Sequence, residues 1–311
     1  MRVYAVNLLI GLAFTAVPAQ DAASPSPSAQ PSSPKAVAVT FDDLPLNGPR
    51  LDLARLQAMT AKLMAVVTKH DIPVVGFVNE SQLYVAGEID ARINVLKQWV
   101  DAGAELGNHT FSHPSFKGAS LAAYQDDVVR GDTVTKMLMK QSGRQVRYFR
   151  HPFLHMGDTN ELESSFERFL AERGYRIAPV TVDTVDWMVL NAYNKARQAQ
   201  SSDAIERVNA EYLQLAAQRL AFSEKMAGEL FGRAIKQILL LHANELNADT
   251  FESLVQQMKT RGYQFITLEE ALGDDAYRWP PKYTATSQWL RLWAESTGLN
   301  FTPPDPPESL R

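Results

Sequence analysis

Short apolar runs rich in β-branched residues alternate along this chain with longer runs whose apolar residues recur at helical spacing, which predicts an α/β protein built on a mostly parallel sheet. Five of the strand-like runs also end in residues suited to metal-assisted hydrolysis, and in alternating folds the chemistry gathers where the strands end. The chain has 311 residues, 45% of them hydrophobic and 21% charged. That is enough for one ordinary core with extensions, not for a second enzyme domain. A doubly wound sheet and a closed or partly closed barrel both satisfy the alternation, and about seven strands favour the barrel.

The elements follow in order. Ala36 to Thr40 reads as a strand, and Leu53, Leu56, Met59, Leu63 and Val66 mark a helix between Leu51 and His70. Pro73 to Val78 is the second strand, Ile93 to Val100 lies on a helix that Gly103 can end, and Ala104 to Gly107 is a strand entering a His-rich segment. Helix is predicted over Leu121 to Lys140, strand over Val146 to Phe149, helix over Leu162 to Arg173, and strand over Arg176 to Val182. Between Asn191 and Lys236, Ile205, Val208, Tyr212, Leu215 and Leu220 predict one long inserted helix packed along a single stripe, a solvated excursion or else a wall for substrate or a partner. Ile238 to Leu241 is the most apolar strand; a helix over Ala248 to Arg261, a strand over Gln264 to Ile266 and a Thr267-x-x-Glu270 capping box complete the pattern. In the tail, Trp279, Trp289 and Trp293 are expected to cover the outside of the domain, where an exposed ring could stack on a sugar.

The first residues read as an export signal: Arg2 supplies positive charge, Val6 to Val17 an apolar stretch too short for a comfortable span, and Val17-Pro18-Ala19 a small-residue cleavage site. Residues 20–35, rich in Ser, Pro and Ala, read as a disordered linker. Net charge is −4, with Lys and Arg dispersed, so nothing marks a nucleic-acid partner. No stable membrane insertion is expected. There is no cysteine, so a metal would have to be held by His and carboxylates.

His109 and His113 are four apart, so on a helical turn both imidazoles would face one side and share a cation. Asp42 and Asp43 end the first strand. Standing alone the pair would more often be a turn or cap; beside two histidines, one can ligate while the other accepts a proton. One Asp with two His leaves coordination positions open, the catalytic rather than the structural pattern. One divalent ion is expected: zinc by default, with cobalt, manganese and iron compatible. His242 closes a buried strand, a rigid place for a general acid, and Asp186 could be its partner. Arg150 is a structural ion pair or orients a carboxylate, Pro152 stiffens the loop beyond it, and Trp187 packs.

These motifs resemble those of the polysaccharide deacetylase family, the NodB-homology domain of carbohydrate esterase family 4, over roughly Ala36 to Leu272 and in the family's order. The resemblance of Thr40-Phe41-Asp42-Asp43 implies Asp42 as general base and Asp43 as metal ligand. His109-x-x-x-His113 implies the other two ligands. Arg150-x-Pro152-Phe153 implies that Arg150 orients the base and that the Phe153 N–H binds the oxyanion. Asp183-x-x-Asp186-Trp187 implies that Asp186 tunes the acid while Trp187 walls the site. Leu240-x-His242 implies Leu240 on the substrate side and His242 as general acid. Leu44 stands where the family usually has Gly, and Phe153 where Tyr is usual.

The implied fold is a distorted (β/α) barrel of about seven strands. The implied organisation is a signal peptide over 1–19, a linker over 20–35, a deacetylase domain over 36–272 with a helical insertion at 191–236, and a C-terminal extension over 273–311. The implied activity is metal-dependent removal of acetyl groups from N- or O-acetylated sugars of a polysaccharide or oligosaccharide outside the cytoplasm, in a periplasmic or secreted protein. An amidase acting on a small C–N bond and a catalytically silent carbohydrate-binding protein are the alternatives.

Overall fold

Period-two alternation in the first strand sets the architecture. In β1 (Lys35–Leu44), Val37, Val39 and Phe41 turn to the large core under the helices, while Ala38 joins a smaller cluster on the opposite face. The computed structural model describes residues 35–278 and 288–311; residues 1–19, almost all of the 20–35 segment and Trp279 lie outside the described residues. Among the described residues no helix is long and apolar enough to cross a membrane.

The other strands are β2 (Val74–Val78), β3 (Glu105–Asn108), β4 (Tyr148–Phe149), β5 (Arg176–Ile177), β6 (Val182–Asp183), β7 (Gln237–His242) and β8 (Tyr263–Phe265). All pairings are parallel. The path runs β5-β4-β3-β2-β1-β7-β6, seven strands in a curled half-barrel, with β8 pairing the first residues of β1. The end strands β5 and β6 do not pair, but residues 178–181 pass from one to the other: the Ala178 N–H donates to the Phe149 carbonyl and the Thr181 N–H to the Ile238 carbonyl. The predicted single strand over Arg176 to Val182 is therefore two short strands at opposite ends of the sheet, because each half takes a different neighbour.

The helices are α1 (Leu53–His70), α2 (Ile89–Asp101), α3 (Leu121–Arg130), α4 (Thr133–Gln141), α5 (Asn160–Glu172), α6 (Asp186–Gln198), α7 (Ser202–Phe231), α8 (Glu245–Thr260), α9 (Leu268–Leu272) and α10 (Trp289–Thr297). Asp52 and Asn244 cap α1 and α8 by accepting from the N–H groups three residues on, and both arms of the capping box open α9. Phe41 meets Trp99 of α2 and Phe251 of α8 edge-on, with ring centroids 5.2 Å apart in each pair, so one strand residue joins two helices to the sheet.

Three helical expectations are corrected. The helix predicted over Leu121 to Lys140 is two, broken at Gly131, whose added Cβ would lie 2.7 Å from the Thr110 backbone; the His-bearing loop presses on that point. The 191–236 stretch is not one helix: α6 begins at Asp186, α7 follows at Ser202, and Val208, Tyr212, Leu215 and Leu220 are buried against the domain. Nor is Trp293 an outer cover. It is fully buried against Phe231, Tyr277 and Trp289, pinning α10 to the end of α7.

Candidate metal and acid–base centre

Register builds the first half of the site. In parallel β1 and β7, Ala38 pairs with Ile238, Thr40 with Leu240 and Asp42 with His242, so Asp42 and His242 end neighbouring strands on one face. In a regular strand Asp43 would face away from Asp42. Instead β1 carries an extra residue: Phe41 pairs with Gly76 and Leu44 with Val78, and Asp43 sits in the left-handed region at φ 61°. This bulge turns consecutive aspartates into one cavity.

The histidine pair is not on a helical turn, contrary to the spacing argument. Residues 109–113 leave β3 as an irregular loop in which Thr110 (φ 66°) and His113 (φ 59°) are left-handed, and the His113 N–H donates to Thr110 Oγ1 at 3.1 Å. The loop still converges the imidazoles. Ligating atoms of Asp43, His109 and His113 lie within 4.8 Å of one another, and Asp43 Oδ1 is 3.1 Å from His113 Nε2 and 3.5 Å from His109 Nε2.

These residues fit a divalent cation. Asp43 Oδ1 is buried without a hydrogen-bond donor, while Oδ2 accepts from Asn47 Nδ2 at 2.8 Å. An orphaned carboxylate oxygen between two imidazoles is costly unless a cation meets it. His109 Nδ1 lies 2.8 Å from the Arg150 carbonyl, which can only accept, so Nδ1 carries the proton and Nε2 offers its lone pair. Burial and the neighbouring His109 hold His113 down at about 4 against the pull of both aspartates, so its ring is neutral and ready to ligate near pH 7. Burial alone would raise Asp43, but the His109, His113 and His242 imidazoles outweigh it and keep the carboxyl ionised.

Asp42 lies beside the triad and is tied to Arg150, whose Nη1 is 3.2 and 3.3 Å from its two carboxylate oxygens. Arg150 is only 1% exposed; its Nε donates to the Ala178 carbonyl at 2.6 Å, its Nη2 to Thr40 Oγ1, and its guanidinium lies 4.6 Å from the Phe77 ring centroid. Burial lowers its pKa and Asp42 opposes that. On the other side of the cavity, His242 Nδ1 lies 2.8 Å from Asp186 Oδ1. Burial disfavours the imidazolium, yet Asp186 outweighs it and, with Asp43 and Asp42, pushes His242 up to about 10.

The cavity measures about 590 Å³ and is lined by Asp42, Asp43, His109, His113, Leu240 and His242, with Phe153 and Trp187 also on its wall. Phe153 (59% exposed) and Trp187 (50%) stand open to solvent; Trp187 does not pack inside as its type suggested. The structure thus brings the metal, acid–base and oxyanion candidates read from the sequence to one cavity or directly behind it.

Several neighbours escaped the sequence reading. Asn244 and Asn247 both donate to Asp186 Oδ2, which also accepts the His242 N–H, and Asn247 Oδ1 accepts from Tyr212 of α7. An Asn-x-x-Asn beginning two residues after His242 was a visible signal, easily taken for helix capping alone. Asn47, four residues after Asp43, had no such signal. Gln288 and Arg291 line the cavity from beyond the domain boundary drawn in the sequence, and the Gln288 side chain donates to Asp183 at 2.9 Å.

Fold and site together define a (β/α) half-barrel with an Asp-His-His cluster, and Asp42 beside His242, at the C-terminal ends of its strands. The polysaccharide deacetylase family model matches residues 29–165. The chain is 22% identical over 238 residues to a peptidoglycan-N-acetylglucosamine deacetylase of Bacillus cereus, covering 75% of this chain and 66% of that one. It is 24% identical over 258 residues to a chitin deacetylase of Colletotrichum lindemuthianum, covering 82% and 86%. The solved chitin deacetylase of that fungus shares the fold, with a TM-score of 0.51 at 21% identity over 79% of this chain and 91% of that one. So does a CE4 family pseudoenzyme from Bacillus anthracis, with a TM-score of 0.51 at 18% identity over 77% and 66%. Over residues 29–165 the chain is thus similar to the polysaccharide deacetylase family.

Proposed function

We propose that this protein is a metal-dependent hydrolase that removes acetyl groups from N-acetylated sugars of a polysaccharide outside the cytoplasm. The observation that carries the reading is the orphaned Asp43 Oδ1 between His109 and His113, flanked in one cavity by Asp42 on Arg150 and His242 on Asp186. A divalent cation held by Asp43, His109 and His113, assigned as zinc, supplies Lewis-acid polarisation and lowers the pKa of water.

The chain's own residues do the rest. Asp42, aimed by Arg150, takes a proton from the attacking water. The Phe153 backbone N–H donates to the developing oxyanion. His242, charged and held through Nδ1 by Asp186, gives its Nε2 proton to the departing nitrogen, so acetate and a free amine leave. Phe153 and Trp187, open at the rim, suit stacking on a sugar chain better than enclosure of a small amide. Export through the signal-like residues 1–19 accords with such a substrate.

The named relatives make N-acetylglucosamine polymers the first substrates to test. Purified protein given zinc should release acetate from chitin oligomers or peptidoglycan, and a chelator should stop it until zinc is restored. No acetate from these or from acetylated xylan, with metal added, would refute the proposal in favour of a silent binding protein.

A further inference from the structure

Two buried carboxylates without a role in this chemistry sit directly behind its two least regular loops. In the first loop Thr110 and His113 are left-handed; in the second, Phe153 and Leu154 are, both at φ 55°. Residues with a Cβ occupy that region only when their surroundings force it. Something must hold each loop.

Asp127 of α3 holds the first. One carboxylate oxygen accepts the Phe111 and Ser112 N–H groups, each at 2.8 Å, and the other accepts Ser112 Oγ at 2.7 Å. Three bonds to the residues between His109 and His113 fix their separation. Glu163 of α5, fully buried, holds the second: Oε2 accepts the Gly157 N–H at 2.7 Å, and Oε1 lies 3.3 Å from His151 Nε2. The loop carrying Phe153 is thereby hydrogen-bonded to this side chain at Gly157 and lies against it at His151. His151 lies among Phe116, Tyr124, Phe149 and Phe166, so the near end of the loop is anchored in packed aromatics.

We propose that Asp127 and Glu163 are positioning residues that each govern one half of the site: Asp127 sets the His109–His113 separation, and Glu163 sets the direction of the Phe153 N–H. The Glu163 half rests on the deacetylase reading. The Asp127 half rests only on the metal triad.

The two halves give different signatures. Zinc affinity is read by competition with a chromophoric chelator, and kcat and KM by acetate release from an N-acetylglucosamine oligomer at saturating zinc. Asp127→Ala should weaken zinc by roughly tenfold to a hundredfold, the usual cost of losing an outer-shell partner. Asp127→Asn, whose amide oxygen still accepts both N–H groups, should recover most of it. Glu163→Met should leave zinc affinity within about threefold while lowering kcat on the order of tenfold to a hundredfold at little-changed KM, as for a misplaced oxyanion donor. Glu163→Gln should restore much of the rate. If Glu163→Met does not fold, His151→Phe removes the 3.3 Å contact with Glu163 at the near end of the loop and is read by the same split. Equal losses of zinc and kcat in both series, or no recovery with Asn and Gln, would overturn the assignment. A wild-type protein that binds zinc but releases no acetate would remove the deacetylase reading and the Glu163 half with it, while the zinc measurements still decide Asp127.

Discussion

Replacing Asp186 with Asn should move the alkaline limb of the pH–rate profile. Asp186 is fully buried, and its carboxylate beside Nδ1 is what lifts His242 to about 10 against a burial that works the other way. Asn keeps the size and can still accept from Asn244, Asn247 and the His242 N–H, but it brings no charge. Burial then acts with less opposition, and His242 falls to its ordinary 6.5 or lower. A general acid works only while protonated, so at a pKa of 6.5 about 3% of it is competent near pH 8 and turnover there drops roughly thirtyfold. Near pH 6 the loss should be small. A cation on Asp43 repels the imidazolium and brings the wild-type limb below 10, so the reading is the difference between the two proteins at the same zinc: at least about two pH units downward. The stability sign agrees. His242 is raised on folding, so its contribution is complete below 6.5 and is lost as pH climbs through 10, and the variant should show a flatter decline in Tm over that window. A limb that stays in place while turnover falls equally at every pH would show that His242 is not the titrating acid.

Wild-type protein should bind about one zinc per chain and Asp43→Ala almost none by metal analysis; equal metal in both would remove Asp43 from the ligand set. Asp42→Asn should retain zinc and fold while losing on the order of a hundredfold to ten-thousandfold in acetate release, and loss of zinc instead would reverse the roles of the two aspartates. Arg150→Met strands the buried Asp42 charge and should cost about 3–5 kcal/mol in urea denaturation, with a loss under about 1 kcal/mol refuting the buried-pair account.

Much of this was legible because its physics is local. The β-rich run before Asp42 and Asp43 placed both aspartates at the end of a strand, where alternating folds carry their chemistry. The strand ending in Leu240-Leu241-His242 declared itself by composition, as did the Thr267 capping box. Helix breaks were illegible for the opposite reason. Gly131, between α3 and α4, lies so close to the Thr110 backbone, some twenty residues earlier, that a Cβ there would stand 2.7 Å from it. The Asp186 network draws on Tyr212 of α7 and Asn247 of α8, and no spacing rule connects those positions.

The sequence by itself determined the inventory of groups, their order along the chain and the strand ends at which they fall, since these follow from side-chain type and short-range periodicity. Only the tertiary structure decided how they meet. Adjacent aspartates reach one cavity through a bulge defined by pairing with β2, and Asp42 reaches His242 through the register between strands about two hundred residues apart. His109 and His113 converge on a loop that Asp127 and Gly131 hold, not on the helical turn their spacing suggested. Each of these depends on contacts between distant segments, and distant contacts leave no periodicity in a single chain to read.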